Sequence, residues 1–373
     1  MSPSDPVDAG IGAALVAETV RLCSIASVTG DEAACAAHVE TELRKTALTV
    51  TRVGETILAR SPELADDPRP LVLFVGHTDT VPPKPGDGPV RVETMGTGER
   101  IIGLGASDMK SGLAVMLALA RGIVPGAGLY RVGFVFYDKE EGPWAISGLG
   151  PALEQVSWLS EAALAFCLEP SDNVVQVGCL GSLHAKVTIY GRAAHSARPW
   201  QGENAIHLAG PLLTALAARK PTDHLFGGHV FREVISATLA SGGKTRNVIP
   251  DRFELNLNFR FAPGRSIDSA EAELTDLVRR HVPGDVTLEY AERAPSGRVV
   301  TDNALLQRFL ALNGNAVTAK QAWTDVARLG QAGIDAVNLG PGESAQAHQA
   351  GESTAVALIV ESYRQFERFL ADG

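Results

Sequence analysis

The sequence contains few cysteines, few aromatic residues and no long hydrophobic run. Its four cysteines are spread through 373 residues without a CxxC pair, which predicts buried thiols in a reducing compartment rather than a disulfide framework. No apolar run approaches the roughly 18 residues that a transmembrane helix needs. The polar, acidic N-terminus also lacks the basic and apolar regions of a signal peptide. We therefore expect a cytoplasmic protein that does not associate with membranes.

Positive charge and nucleotide-binding motifs are also scarce. Lys and Arg total 33 against 43 Asp and Glu, a formal net charge of −10, which argues against a nucleic-acid partner. The glycine-rich stretch 103–108 precedes a helical segment, where a phosphate-binding turn could lie. It lacks both the GxGxxG spacing and the GK[ST] ending of nucleotide-binding loops. A GxSxG serine elbow is missing as well, so the sequence favours neither a nicotinamide-dependent dehydrogenase nor a serine hydrolase.

Three continuous apolar runs predict strands that are buried on both faces. They cover residues 70–76, 131–137 and 162–168, and the segment 112–121 has the composition and length of a helix. Buried strands that alternate with helices are typical of an α/β domain with a mostly parallel central sheet.

The pattern changes after about residue 180. Residues 183–190 and 253–261 are strand-like with a more polar face, and residues 203–218 and 267–281 are helical in character. This mixture predicts a small α+β domain. The α/β pattern then returns and ends in an amphipathic helix. We therefore predict a catalytic domain formed by residues 1–180 and 293–373, with an inserted domain at 181–292.

Histidine and carboxylate side chains follow the predicted buried strands. In a parallel sheet the carboxyl ends of the strands share one edge, where functional groups gather. The residues at these ends, in the loop before the helix at 112 and near the C-terminus are His77, Asp79, Asp108, Glu140, Glu141, Glu169 and His348. Carboxylate and imidazole ligands without a thiolate suit divalent zinc, cobalt or manganese. The combination predicts a metal site.

Two pairs among these residues have a spacing that suggests how their chemical roles divide. His77 and Asp79 are two residues apart, so on an extended strand they point the same way. A carboxylate placed there can accept the second ring N–H of a ligating histidine and fix its tautomer. Glu140 and Glu141 are adjacent and point in different directions, so one can bind metal while the other faces the reacting water.

Taken together, these motifs resemble the M20 family of dinuclear zinc amidohydrolases. The resemblance covers nearly the whole chain, including the inserted domain with GRAAHSARPWQGENAIH at 191–207. The motifs that carry it in the catalytic domain are GHTDTVP at 76–82, GASDMKSGLA at 105–114, DKEEG at 138–142, EP at 169–170 and the late His348. It implies a zinc-peptidase-like catalytic domain and an inserted lid or dimerisation domain.

The resemblance also implies roles for the residues of the metal site. His77 and Glu169 bind one ion, Glu141 and His348 bind the other, and Asp108 bridges the two. Asp79 then orients His77, and Glu140 is the general base. The cofactors implied are two divalent ions, Zn²⁺ with Co²⁺ possible in one site.

Further roles are implied outside the metal site. His195 reaches the active site of the other subunit of a homodimer formed through the lid, where it helps to hold the oxyanion. Asn247 and Arg260 in the inserted domain and Arg328 in the catalytic domain position a small-molecule N-acyl amino acid substrate.

The segments TRNVIPD at 245–251 and NLGPGESAQAH at 338–348 look most like the succinyl-diaminopimelate desuccinylases within the family, in their actinobacterial form. Some of these enzymes carry an arginine pair where this sequence has Cys179 and Leu180. The alternatives are therefore an acetylornithine deacetylase, another N-acyl amino acid deacylase, a carboxypeptidase or dipeptidase on the same site, or a non-catalytic relative that binds metal or peptide.

Overall fold

The structure is a computed structural model that describes residues 6–62, 67–96 and 98–371. The described chain forms two compact units. The first contains the chain up to Val177, Val300–Thr318 and the chain from Arg328 onwards, and the second contains Gly178–Val299 and Ala319–Ala327. Among the described residues, no helix combines the length and apolarity needed to span a membrane.

Strands and helices are numbered along the whole chain. Up to Val177 they are α1 (Pro6–Ser24), α2 (Ala33–Leu43), β1 (Thr49–Val53), β2 (Thr56–Arg60), β3 (Leu71–His77), β4 (Arg91–Met95), β5 (Gly98–Ile102), α3 (Ser111–Gly122), β6 (Arg131–Tyr137), α4 (Leu149–Gln155), β7 (Ala162–Cys167) and β8 (Val175–Val177). Those of the second unit are β9 (Gly181–Tyr190), β10 (Ala194–His195), α5 (Ala205–Leu208), α6 (Gly210–Ala218), β11 (Thr222–Phe226), β12 (His229–Gly242), β13 (Val248–Ile249), β14 (Arg252–Phe261), α7 (Ile267–His281) and β15 (Val286–Ala294). The rest are α8 (Ala304–Asn313), β16 (Val317–Ala319), α9 (Val326–Gln331), β17 (Ala336–Asn338), β18 (Ser353–Ala355) and α10 (Val356–Ala371).

An eight-stranded sheet in the order β1-β2-β6-β3-β7-β17-β8-β16 forms the centre of the first unit. Its four middle strands, β6, β3, β7 and β17, are parallel, as predicted. The pairs β1/β2, β2/β6 and β17/β8 are antiparallel. The carboxyl ends of β3, β6 and β7 therefore lie side by side, which is the arrangement that a shared site at the sheet edge requires.

A cluster of phenylalanines packs the sheet against the C-terminal helix. Phe74 on β3 and Phe166 on β7 contact Phe366 on α10, with ring centroids 5.0 and 5.2 Å apart. Every residue of β3 is buried, and so is every residue of α3 from Ser111 to Ala120. Gly112 permits the close approach of α3 to the end of β7, because a Cβ there would lie 2.6 Å from the carbonyl oxygen of Leu168. These contacts bring the start of α3 beside the strand ends.

The second unit contains an antiparallel sheet in the order β11-β12-β14-β9-β15. Strand β14 alternates strictly: Leu255, Leu257 and Phe259 are buried in an apolar core with residues of α6 and α7. Asn258 and Arg260 lie on the opposite face and are half-buried. The strand with one polar face that the sequence predicts is thus observed, and the α/β and α+β fold classes are confirmed.

The boundaries of the two compact units differ from the predicted domain boundaries at three places. Residues 178–180, 293–299 and 319–327, predicted as part of the catalytic domain, lie in the second unit. The reason is hydrogen bonding between distant segments: the Gly297 amide donates to the Cys179 carbonyl at 3.0 Å, and the Trp323 indole N–H donates to the Pro295 carbonyl at 3.0 Å. Long-range contacts of this kind leave no periodic signal in the sequence.

The four cysteines all lie in the described part of the chain, and none forms a disulfide there. Cys35, Cys167 and Cys179 are buried. Burial raises the pKa of the Cys179 thiol to about 11, which keeps it protonated and unreactive at neutral pH.

Candidate metal centre

His77, the last residue of β3, is completely buried. Its ring Nδ1 lies 3.1 Å from the backbone carbonyl oxygen of Asp79 and 3.4 Å from the Asp79 carboxylate. The carbonyl is therefore the closer acceptor for the Nδ1–H, and a histidine that donates through Nδ1 presents Nε2 as its acceptor or ligand atom. That Nε2 lies 3.1 Å from Oδ1 of Asp108.

The Asp79 carboxylate also links two strand ends. Its Oδ1 accepts the Glu140 amide N–H, and its Oδ2 accepts the Glu141 amide N–H, both at 3.0 Å. The Thr29 hydroxyl donates to Oδ2 at 2.9 Å. Burial alone would raise the pKa of Asp79, but the contact with His77 and these hydrogen bonds outweigh it and lower the pKa. Asp79 therefore stays ionised and fixes the Glu140-Glu141 loop as well as His77.

Asp108 lies between two histidines. It belongs to the turn Ala106–Lys110 that leads into α3, and its peptide bond to Met109 is cis. Oδ1 faces His77, and Oδ2 lies 3.5 Å from Nε2 of His348. The two oxygens of one carboxylate thus point toward two different imidazoles.

His348 completes the cluster from a loop near the C-terminus. Its Nε2 lies 2.8 Å from Oε1 of Glu141. The side chain is about half exposed, whereas those of Asp108 and Glu141 are mostly buried. Its backbone adopts a φ of 58°, a conformation that non-glycine residues rarely occupy.

Negative charge dominates the site. Burial lowers the pKa of His77, but hydrogen bonds to Asp108 and Asp79 and the charges of Glu140 and Glu169 outweigh it, so the pKa is well above the usual value. The hydrogen bond to Glu141 raises the pKa of His348. Glu169, which follows β7, is buried. The carboxylates around the buried His77 therefore favour a positively charged group in this site.

The donor atoms fit divalent metal ions. The ligand atoms of His77, Asp108 and Glu141 lie within 4.8 Å of one another. They offer imidazole nitrogen and carboxylate oxygen without sulfur, a donor set that Zn²⁺, Co²⁺ and Mn²⁺ accept. Because the Asp108 oxygens face His77 and His348 separately, the cluster suits two ions that share Asp108.

Three of the predicted residues belong to the second unit. His195 on β10 is exposed, and its Nδ1 accepts the Ala197 amide N–H at 3.1 Å. Asn247 lies close by, since its carbonyl accepts the Ser196 amide N–H at 2.9 Å. Arg260 is further along the sheet, where its Nε donates to Oδ1 of Asn258 at 3.1 Å.

Arg328, whose role in substrate positioning stays a prediction, contacts Trp144 in the first unit. Its guanidinium lies 3.5 Å from the centroid of the Trp144 ring and donates to the Trp144 carbonyl at 2.5 Å. It therefore holds the loop that follows Glu140 and Glu141. Contacts between residues 184 positions apart cannot be inferred from local spacing.

Sequence reasoning missed three residues around this centre. Glu352 accepts backbone N–H groups of the turn that carries Asp108. Lys84 donates to the His348 carbonyl, and Asp87 accepts the Gly351 amide N–H at 2.8 Å. Each acts through the backbone of a distant loop, so no motif spacing in one sequence identifies it.

Two family profiles match the chain. The peptidase dimerisation domain matches residues 177–286, and peptidase family M28 matches residues 57–186. A Corynebacterium glutamicum succinyl-diaminopimelate desuccinylase is 33% identical, with 95% of each chain covered. A Mycobacterium tuberculosis protein provisionally given the same name is 37% identical over 94% of this chain and 96% of its own. The chain belongs to the M20 family of metal-dependent hydrolases. The resemblance drawn from the motifs is thereby confirmed.

Solved structures of M20 proteins share the fold. A tripeptidase from Staphylococcus aureus superimposes with a TM-score of 0.78 at 20% identity, covering 96% of this chain and 98% of its own. A dinuclear metal-binding M20 peptidase from Bacillus subtilis gives a TM-score of 0.68 at 14% identity, covering 97% and 98%. At these identities the likeness concerns the fold alone.

We expect Asp79→Asn to destabilise the metal-free protein. The new amide must turn its NH₂ group toward the Glu140 or Glu141 N–H, which leaves a buried donor unpaired at a cost of about 1–3 kcal/mol. Urea unfolding of the metal-free protein measures this cost. Asp87→Asn is the matched control, because Asp87 also accepts two backbone N–H groups but lies nearer the surface. Equal effects of the two substitutions would contradict the central role of Asp79.

Proposed function

We propose that this protein hydrolyses the amide bond of an N-acyl amino acid, converting N-succinyl-LL-2,6-diaminopimelate and water to succinate and LL-2,6-diaminopimelate. One observation carries the proposal: the carboxylate of Asp108 faces His77 on one side and His348 on the other. A bridged pair of ions is the arrangement that metal-assisted hydrolysis uses. The substrate follows from the desuccinylases that are similar over nearly the full length.

The site residues divide into two ligand sets. His77, Asp108 and Glu169 would hold one ion, and Asp108, Glu141 and His348 would hold the other. Zn²⁺ is the proposed ion in both sites, with Co²⁺ accepted in one. Divalent ions bound there would supply Lewis acidity, which polarises a carbonyl and lowers the pKa of a bound water to about 7.

Glu140 moves the proton. It is adjacent to Glu141, and its backbone is fixed by the Asp79 carboxylate. Its carboxylate takes a proton from the attacking water as the oxygen bonds to the scissile carbonyl carbon. It then delivers that proton to the leaving nitrogen as the C–N bond breaks, giving a carboxylic acid and an amine. Asp79 keeps this base in place and does not touch the substrate.

The second unit contributes as a lid and as a dimer contact. The match to the dimerisation domain supports a homodimer formed through this unit. His195 is exposed and its Nδ1 is occupied by the Ala197 N–H, so Nε2 is directed outward. In the dimer, His195 of one subunit stabilises the oxyanion formed in the active site of the other.

Arg260 supplies the cation that the missing arginine pair would provide. Cys179 and Leu180 are buried and uncharged. Arg260 pairs across the sheet with Ser182, which follows them closely in sequence. Burial lowers the pKa of its guanidinium, and Asn258 is its hydrogen-bond partner within the described residues. A partly buried guanidinium bound to a neutral amide favours a carboxylate ligand. Asn247 is the second substrate-positioning residue.

The substrate assignment is tested with the zinc-loaded protein. We expect fast release of succinate from N-succinyl-LL-2,6-diaminopimelate and slow release of acetate from N-acetylornithine, because only the succinyl group offers Arg260 a free carboxylate on the acyl chain. Product formation is followed by chromatography. Preferred release of acetate would contradict the desuccinylase assignment. Preferred hydrolysis of dipeptides would instead favour a peptidase.

Glu140→Ala should abolish most turnover and leave metal binding intact. General acid–base catalysis contributes about 10²–10⁴-fold, and Glu140 is not among the proposed ligands. Turnover and metal content are measured on the same sample. Glu141→Ala is the matched control, since loss of a ligand lowers the metal content as well. Wild-type turnover by Glu140→Ala would refute its role as the base.

The role of His195 across the dimer is tested by mixing two inactive variants. A hybrid of Glu140→Ala and His195→Ala subunits contains one intact site only if His195 acts in the partner's site. Random exchange of subunits in a two-fold dimer then restores about a quarter of the wild-type rate. If His195 acts within its own subunit, both sites of the hybrid stay defective and the rate does not recover.

A further inference from the structure

Glu352 is a buried carboxylate outside both proposed ligand sets. It is 2% exposed, and its two oxygens accept three backbone N–H groups of one turn. Oε1 accepts from Ser107 and Asp108, each at 2.7 Å, and Oε2 accepts from Gly105 at 2.8 Å. Convergent backbone N–H groups form an anion-binding concavity, and here a carboxylate of the chain itself fills it.

The turn that Glu352 holds determines where the Asp108 side chain lies. Asp108 is bound through its own amide nitrogen, one bond from the Cα that carries the carboxylate. Gly105 begins the turn with φ +78°, and the Ser107 hydroxyl donates to the Glu343 carbonyl at 2.9 Å. Gly342 permits this close approach, because a Cβ there would lie 2.1 Å from the Ser107 carbonyl oxygen. The backbone around Asp108 therefore depends on the 343–352 segment.

The same segment carries His348. Only three residues separate His348 from Glu352, and Gly351 is bound to Asp87. Lys84 donates to the His348 carbonyl. One short loop thus presents a histidine to the site and, through Glu352, holds the turn of the aspartate that faces that histidine.

We propose that Glu352 is a positioning residue that sets the separation of Asp108 and His348 and thereby determines the affinity of the second metal ion. The inference rests on the proposed function, because it takes Asp108 as the bridging ligand. Two of the three proposed ligands of the second ion, Asp108 and His348, depend on the 343–352 segment. Within the described residues, the Glu352 carboxylate contacts the first ligand set only at the Asp108 amide, because His77 is the last residue of β3 and Glu169 follows β7.

The test measures binding of Co²⁺ alone to the metal-free full-length chain. Titration followed by the visible absorption of Co²⁺ reports both affinity and coordination geometry. We expect Glu352→Gln to weaken the second ion about 10-fold and Glu352→Ala up to about 100-fold, the range seen when a residue that orients a ligand is lost. The first ion should bind more nearly as in the wild type, and the absorption spectrum of the second should change.

Glu233→Gln is the matched control. Glu233 is a buried carboxylate of the second unit that accepts the Ala262 N–H at 2.9 Å and pairs with Arg265 at 3.0 Å. It should lower the thermal midpoint without changing the Co²⁺ titration. If Glu352→Ala does not fold, the conservative Glu352→Gln still decides the question, since it keeps one carbonyl oxygen in the turn.

Two other results would overturn the inference. Wild-type affinity and spectrum for both ions in folded Glu352→Gln would show that Glu352 does not set the second site, while leaving the proposed function intact. Failure of the wild-type chain to bind two Co²⁺ ions would remove the bridged pair, and the proposed function would fall with it.

Discussion

The Asp79 carboxylate is the contact on which the arrangement of the site depends. It lies just past the end of β3, and it binds the amide groups of Glu140 and Glu141, which follow β6. Because β3 and β6 are parallel neighbours, their carboxyl ends lie close together. Their pairing does not determine the direction of the loops that follow. A buried, ionised carboxylate does so, because leaving its lone pairs or the two N–H groups unpaired is costly. The proposed base, Glu140, and the proposed ligand, Glu141, are thereby fixed together.

The same physical device occurs a second time, with Glu352 and the turn of Asp108. In both cases a carboxylate outside the proposed ligand sets accepts the backbone N–H of a proposed ligand, Glu141 or Asp108, and that of a nearby residue. Backbone hydrogen bonds of this kind leave the functional side chains free to face the metal and the substrate. The Asp79 and Glu352 contacts hold the two sides of the centre, one at the sheet edge and one in the C-terminal loop.

The residues proposed for catalysis and for substrate binding are distributed over both units. All the proposed metal ligands and Glu140 lie in the first unit, and the strict alternation of β14 gives the second unit one apolar and one polar face. That polar face carries Arg260, the cation proposed to bind the carboxylate of the succinyl group. Arg328 lies in the first unit and stacks on Trp144, which belongs to the loop that follows Glu140 and Glu141.

The sequence by itself determined the strands, the sheet edge and the residues that gather there, because continuous apolar runs mark buried parallel strands and their ends must lie side by side. It also identified the family through ordered motifs. Only the tertiary structure decided which Asp108 oxygen faces which histidine, what Arg328 contacts and that Glu352 binds the Asp108 turn. These contacts join loops as many as 247 positions apart. Hydrophobic periodicity determines which side chains of a strand or helix are buried. Contacts between distant loops depend instead on the packing of the whole unit.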